Sequence, residues 1–149
     1  MRFKSLAPCL AALLAITTVS SAFAALNCLT PAEEAAGWKL LFDGKTLNGW
    51  KSTQDIKGWA VQDGMIVNLV KGGGILATTE KYTDFKLSME FKIDKGTNSG
   101  VFFRWFEWNN PVGTGMEMQI LDSAGVPNPG KHHSGALYDC MAPRVNAMK

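Results

Sequence analysis

Between Asp84 and Asp94 apolar and polar residues alternate without a break, with Phe85, Leu87, Met89, Phe91 and Ile93 on the apolar positions. A side-chain period of two belongs to a β-strand, and a single apolar face calls for a core on that side. The pattern predicts a long antiparallel strand over 84–94 with those five side chains buried. The stretch GMEMQILD, Gly115–Asp122, repeats it: Met116, Met118 and Ile120 alternate with Glu117 and Gln119. Between the two, Asn98-Ser99-Gly100 turns the chain into the strand pattern Val101–Trp105. Upstream, Trp59–Gln62 and Met65–Val67 flank Asp63-Gly64, a dipeptide suited to a type I′ hairpin turn with positive φ at both central residues. Trp38–Phe42 reads as a short strand closed by Asp43-Gly44-Lys45, and Ser134–Tyr138 begins one more. The one helix signal is Thr30-Pro31-Ala32-Glu33-Glu34, with a Thr cap, Pro at the first position and acids in the first turn. Short strands separated by turns, with almost no helix, predict an all-β sandwich or jelly roll.

The N-terminus follows a different pattern. Arg2 and Lys4 precede an apolar run from Leu6 to about Val19, and Ala22-Phe23-Ala24 supplies small residues for cleavage. Residues 1–24 therefore read as a Sec-type signal peptide cleaved after Ala24. The run is short for a transmembrane anchor. Cys9 lies too early for a lipoprotein signal, and Cys28 follows Asn27 where a small residue is expected. The expectation is a periplasmic or secreted bacterial protein with no stable membrane anchor. Residues 25–36 then form a leader and residues 37–149 the domain proper, enough for one core.

Cleavage changes the charge and the cysteine count. Loss of Arg2 and Lys4 takes the net charge from +2 to about zero. A neutral chain without basic clusters argues against a nucleic-acid partner. Cys28 and Cys140 remain, and sequence leaves their pairing open. The run Lys71-Gly72-Gly73-Gly74 lacks the phosphate-loop spacing and the following helix. It reads as a turn or a close backbone approach.

Consecutive strands of an antiparallel sheet usually pair. Glu90, Arg104, Glu117 and Gln119 are then expected to share one outward face, opposite the apolar one. The bland reading is a solvated face with Arg104 paired to a carboxylate. The crowd of aromatics nearby, Phe102, Phe103, Trp105, Phe106 and Trp108, favours a sugar cleft instead. Ring faces stack on sugar C–H faces, and planar polar groups bind hydroxyls.

The segments FDGKTLNGW, WAVQDGMIV, GGGILATTEKYTDFKLSMEFKI, NSGVFFRW, MEMQILD and SGALYDCMAP occur in that order. Together, over roughly Gly37 to Lys149, they resemble the 3-keto-disaccharide hydrolase domain family, formerly domain of unknown function 1080. The resemblance implies an exported concanavalin A-like lectin/glucanase jelly-roll sandwich acting on glycosides oxidised at C3, by hydrolysis or by elimination and hydration. Members usually continue past the SGALYDxxAP motif with further strands, so an incomplete sandwich is expected here.

The chemistry of such a substrate needs a base for the C2 proton, a stabiliser for the enolate oxygen and an acid for the leaving group. Glu117 is the first candidate for the base, and Arg104 or a divalent metal for the oxyanion. His132 and His133, in the loop Asn128–His133, are candidates for the acid or for metal ligands, with Asp122 as a further ligand. Asp122 could equally cap the next turn. Glu90, Gln119, Trp105 and Tyr138 are candidates for binding the sugar. A two-carboxylate glycosidase using Glu90 and Glu117 is the rival mechanism. A non-catalytic carbohydrate-binding module, or an inactive fragment, is the alternative to an enzyme.

Overall fold

The structure is a computed structural model and describes residues 27–148; the signal-peptide reading of residues 1–24 lies outside them. The elements run in the order α1 (Pro31–Ala35), β1 (Trp50–Ser52), a 3-10 turn (Ile56–Gly58), β2 (Trp59–Gln62), β3 (Met65–Asn68), β4 (Leu76–Thr78), β5 (Asn98–Phe103), α2 (Pro111–Thr114) and β6 (Met116–Leu121). The strands form three two-stranded sheets, β1 with β4, β2 with β3, and β5 with β6. Among the described residues the architecture is all-β with two short helices. The chain divides into two compact units, one up to Lys51 together with Asp55–Thr79, the other Ser52–Gln54 with Glu80 onward.

In the first unit α1 has the capping box its sequence announces. Thr30 Oγ1 accepts the Glu33 N–H at 3.3 Å, and the Glu33 carboxylate accepts the Thr30 N–H at 2.7 Å. Those bonds to Thr30 hold the Glu33 pKa below its usual value. β2 and β3 form the expected hairpin, pairing Gln62 with Met65 and Trp59 with Asn68. Its turn residues have φ of 49° at Asp63 and 74° at Gly64, the two positive values a type I′ turn needs. In the glycine run, the Trp59 indole Nε1–H donates to the Gly73 carbonyl at 3.1 Å, so the backbone does come close there. The Trp38–Phe42 segment forms no strand. It is held instead by its ends: the Asp43 carboxylate accepts the Lys45 and Thr46 N–H groups, and the Leu41 carbonyl accepts from Trp50 Nε1.

In the second unit β5 and β6 pair antiparallel in the register Asn98↔Leu121, Gly100↔Gln119, Phe102↔Glu117. Opposed residues share a face. One face therefore carries Asn98, Gly100, Phe102, Glu117, Gln119 and Leu121, the other Ser99, Val101, Phe103, Met116, Met118 and Ile120. The segment 134–138 returns along β6: Gly135 N–H donates to the Gln119 carbonyl, Gln119 N–H to that of Ala136, and Tyr138 N–H to that of Glu117. Only Leu137 of the expected last strand forms ladder bridges, to Met118 and Met141.

The long strand over 84–94 is absent. The segment is not in a ladder, and Phe85, Leu87, Met89 and Phe91 are exposed while Ile93 is half-buried. Alternation gives a strand a face but no partner. Without neighbouring strands on its edges and a layer over its apolar side, the expected burial does not follow. The face assignment of β6 is also reversed along most of its length. Met116 and Met118 are exposed and Gln119 is buried, with Ile120 alone buried as expected. Among the described residues, the buried apolar side chains of this unit are Pro111, Ile120 and Ala136, joined by the buried polar Gln119, Ser123 and Ser134.

Candidate functional site

β6 carries Glu117 at mid-strand, on the face shared with Phe102. The turn after Ala136 then brings Leu137, Tyr138 and Cys140 over it. Together with Met116, Gly115 and Val112 these residues line a pocket of about 90 Å³. Its walls are mostly apolar, and its titratable groups are Glu117, Tyr138 and Cys140. Glu117 is half-buried, and burial pushes its carboxyl pKa above the usual value. The cause is loss of water around the charged form. The shift is toward a stronger base, a useful property for proton abstraction.

Beside this pocket Tyr138 packs on His132, with ring centroids 4.8 Å apart and planes tilted by 37°. His132 Nε2 lies 3.0 Å from the Asp139 carboxylate, which also takes Lys131 Nζ at 2.7 Å. Asp139 sits at φ 57°, and its N–H donates to the Lys131 carbonyl at 3.0 Å, closing the loop on itself. The hydrogen bonds from Lys131 and His132 hold the Asp139 carboxyl below its ordinary pKa, and the same partnership raises that of Lys131. These three side chains are about half exposed, so the pair orients the loop more than it stabilises the fold.

The other candidates go elsewhere. Arg104 follows β5 at φ 57° and leaves the strand line; its guanidinium lies 3.6 Å from Asp84, both groups exposed. It contributes nothing to the Glu117 shift. Glu90 is exposed on the 84–94 segment and has no place in the β5–β6 ladder. The expected single face of Glu90, Arg104, Glu117 and Gln119 is thus not formed, because the strand that should carry Glu90 lacks a ladder and Arg104 turns out at the end of its own. Gln119 shares a face with Glu117, but it is buried and donates from Nε2 to Asn98 Oδ1 at 2.8 Å. Trp105 is half-buried and packs on Trp108, centroids 6.2 Å apart.

The residues named for a divalent metal do not fit one. Asp122 accepts the Gly96 N–H at 2.8 Å, closing the loop before β5. His133 Nδ1 accepts the Gly130 N–H at 2.8 Å, and His132 is engaged with Asp139. Among the described residues no cluster of three or more His, Cys, Asp or Glu side chains could hold an ion. Cys140 is an exposed thiol and is not bridged to Cys28. Phe102 was among the aromatics the sequence suggested for a cleft; sequence reasoning missed Leu137 and Cys140 as pocket walls and Asp139 as the partner of His132. The only signal for the last was an acidic residue directly after Tyr138.

The family model of the 3-keto-alpha-glucoside-1,2-lyase-like domain matches residues 37–149. The chain belongs to this family. A 3-keto-disaccharide hydrolase of Bacteroides thetaiotaomicron is 33% identical over 139 residues, covering 75% of this chain and 48% of that protein. A crystal structure of a "putative glycosyl hydrolase" from Parabacteroides distasonis superposes with a TM-score of 0.62 at 28% identity, covering 83% of this chain and 63% of that one. The all-β jelly-roll class expected from the strand pattern agrees with that likeness. The chain spans about half the length of the curated relative it matches.

Proposed function

We propose that this member of the 3-keto-alpha-glucoside-1,2-lyase-like family is an exported enzyme that cleaves the glycosidic bond of 3-keto glycosides, with Glu117 as the base. The observation that carries the reading is a half-buried carboxylate of raised pKa in a small apolar-walled pocket beside a tyrosine. The keto group at C3 acidifies the hydrogen on C2. Glu117 removes that proton, and the C–H electrons form an enolate on the C3 oxygen. Collapse of the enolate expels the C1 oxygen, which takes up a proton as the leaving group departs. The product is an enone, and addition of water to it completes a net hydrolysis. Tyr138 is the group in the pocket able to donate to the developing enolate oxygen. His132, held by Asp139 and packed on Tyr138, keeps that ring in place. Support also comes from the name of the Bacteroides relative, a 3-keto-disaccharide hydrolase.

The test is sugar release from a 3-keto disaccharide by the full chain and by Glu117→Gln. The expected result is a loss of turnover of about 10²-fold or more with binding retained, as removal of a general base requires. Binding without turnover in the unaltered protein would overturn the enzyme reading in favour of a carbohydrate-binding module. Turnover unchanged by the substitution would overturn the role of Glu117.

A further inference from the structure

Gly100 lies directly opposite Gln119 in the β5–β6 ladder, two residue pairs along from Phe102 and Glu117 and on the same face. Phe102, paired with Glu117, has a ring that also walls the pocket. At Gly100 that face is bare, and the Glu117 side chain lies across the gap. A Cβ built on Gly100 would stand 2.6 Å from both Cγ and Cδ of Glu117 and closer still to Oε1. Real side chains do not approach so closely. The clash involves Cγ as well as the carboxylate, so swinging the carboxylate alone would not relieve it. The whole side chain would have to take another rotamer. The backbone conformation at Gly100 is not left-handed, so glycine is not needed there for φ. Glycine in the interior of a strand weakens it and marks a place where something approaches the backbone closely. Here the thing that approaches is the Glu117 side chain.

We infer that Gly100 is a positioning residue: the absence of a side chain there forms the slot that holds the Glu117 carboxylate at its pocket. This rests on the reading of Glu117 as the base, but it concerns where that carboxylate sits and can be tested apart from turnover. Placing the carboxylate across bare backbone keeps it against the apolar wall formed by Phe102, Leu137 and Met116. There water is partly excluded and the charged form is disfavoured. Apart from Glu117, the titratable groups facing this pocket are Tyr138 and Cys140. Arg104 is engaged with Asp84 instead. A methyl group at position 100 fills the slot and sends the carboxylate toward solvent.

The experiment is Gly100→Ala in the full chain, with the Glu117 carboxyl titrated by carbon-13 NMR and turnover measured on a 3-keto disaccharide. The Glu117 pKa is expected to fall toward that of an exposed glutamate. Turnover is expected to drop on the order of 10²-fold, as for an angstrom-scale misplacement of a reacting group, with the loss in kcat rather than KM. In a Glu117→Gln background, Gly100→Ala should cost nothing further. An unshifted Glu117 titration in Gly100→Ala would overturn the slot. If the titration shifts but neither substitution touches turnover, the slot stands and the role of Glu117 as base falls. Should Gly100→Ala fail to fold, Glu117→Ala in that background must restore folding; a double variant that also fails to fold puts the collision elsewhere and overturns the inference.

Discussion

Replacing Ser134 by alanine should destabilise the protein by about 2 kcal/mol, and the structure says why. Its Oγ accepts the Leu121 N–H at 2.7 Å and donates to the Leu121 carbonyl at 2.6 Å, from a buried position. Removing the hydroxyl leaves the N–H at the end of β6 without its acceptor. Orphaning an enclosed donor costs about 1–3 kcal/mol. The carbonyl is less affected, because Ser123 Oγ still donates to it at 3.3 Å. Ser123 makes the weaker set of bonds: besides that one, its Oγ accepts the Ser134 N–H at 3.3 Å. Long bonds of this kind lose less when deleted, so Ser123→Ala should cost about 1 kcal/mol. The pair should also couple. Either serine alone still donates to the Leu121 carbonyl; the double variant leaves it with neither, and its cost should exceed the sum of the singles by about 0.5 kcal/mol or more. Urea unfolding at constant m measures all three. A Ser123→Ala cost equal to or above that of Ser134→Ala, or strict additivity, would refute the reasoning. The consequence reaches the pocket. These serines pin the start of the 134–138 return, and that return carries Tyr138 to Glu117.

Other outcomes follow from the same structure. Glu117→Gln should lose turnover as described and gain stability at neutral pH. Burial raises the folded-state pKa of Glu117 above the unfolded one, so the folded chain binds more protons between the two values and stability falls as pH rises through that window; glutamine removes this pH dependence, read by unfolding at pH 4 and pH 7. Leu87→Ser should change stability by no more than about 0.5 kcal/mol, because Leu87 is exposed; a loss of about 2 kcal/mol or more, as for burial in a core, would show that this face is covered in solution. The exported product should begin at Ala25 by N-terminal sequencing, and retention of residues 1–24 in a membrane fraction would overturn the signal reading.

Local features were legible in the sequence where the chemistry of one or two residues decides them. Asp63-Gly64 fixes a turn by φ alone, and Thr30 with Glu33 fixes a helix start by two reciprocal hydrogen bonds. The strands β5 and β6 were legible as strands. Their faces were not. Period two says that Met118 and Gln119 point opposite ways, and hydrophobicity suggests that methionine points in. The side that is enclosed is set by which segment folds back over the strand. Here that is the Gly135–Cys140 stretch, which runs along the edge of β6 through three backbone hydrogen bonds and brings Leu137, Tyr138 and Cys140 to the pocket at Glu117. No local pattern in residues 116–121 encodes a turn some fifteen residues downstream. The 84–94 segment makes the same point in reverse: its alternation is the strictest in the chain, yet burial needs a second surface.

That dependence on a distant turn explains why one carboxylate became the candidate base and the others did not. Glu90, Asp84 and Glu117 looked alike in the sequence, each a polar residue in or beside an alternating strand. Glu90 is exposed on a segment without a ladder. Asp84 is exposed, with the Arg104 guanidinium 3.6 Å away. Glu117 alone of the three is half-buried, and that partial loss of water raises its pKa. The sequence named it for its place in the strand; the property that suits it to take a proton comes from Phe102 across the ladder, the gap at Gly100, and the return of Leu137 and Tyr138. A carboxylate at the same position without that return would be another solvated side chain on an open sheet.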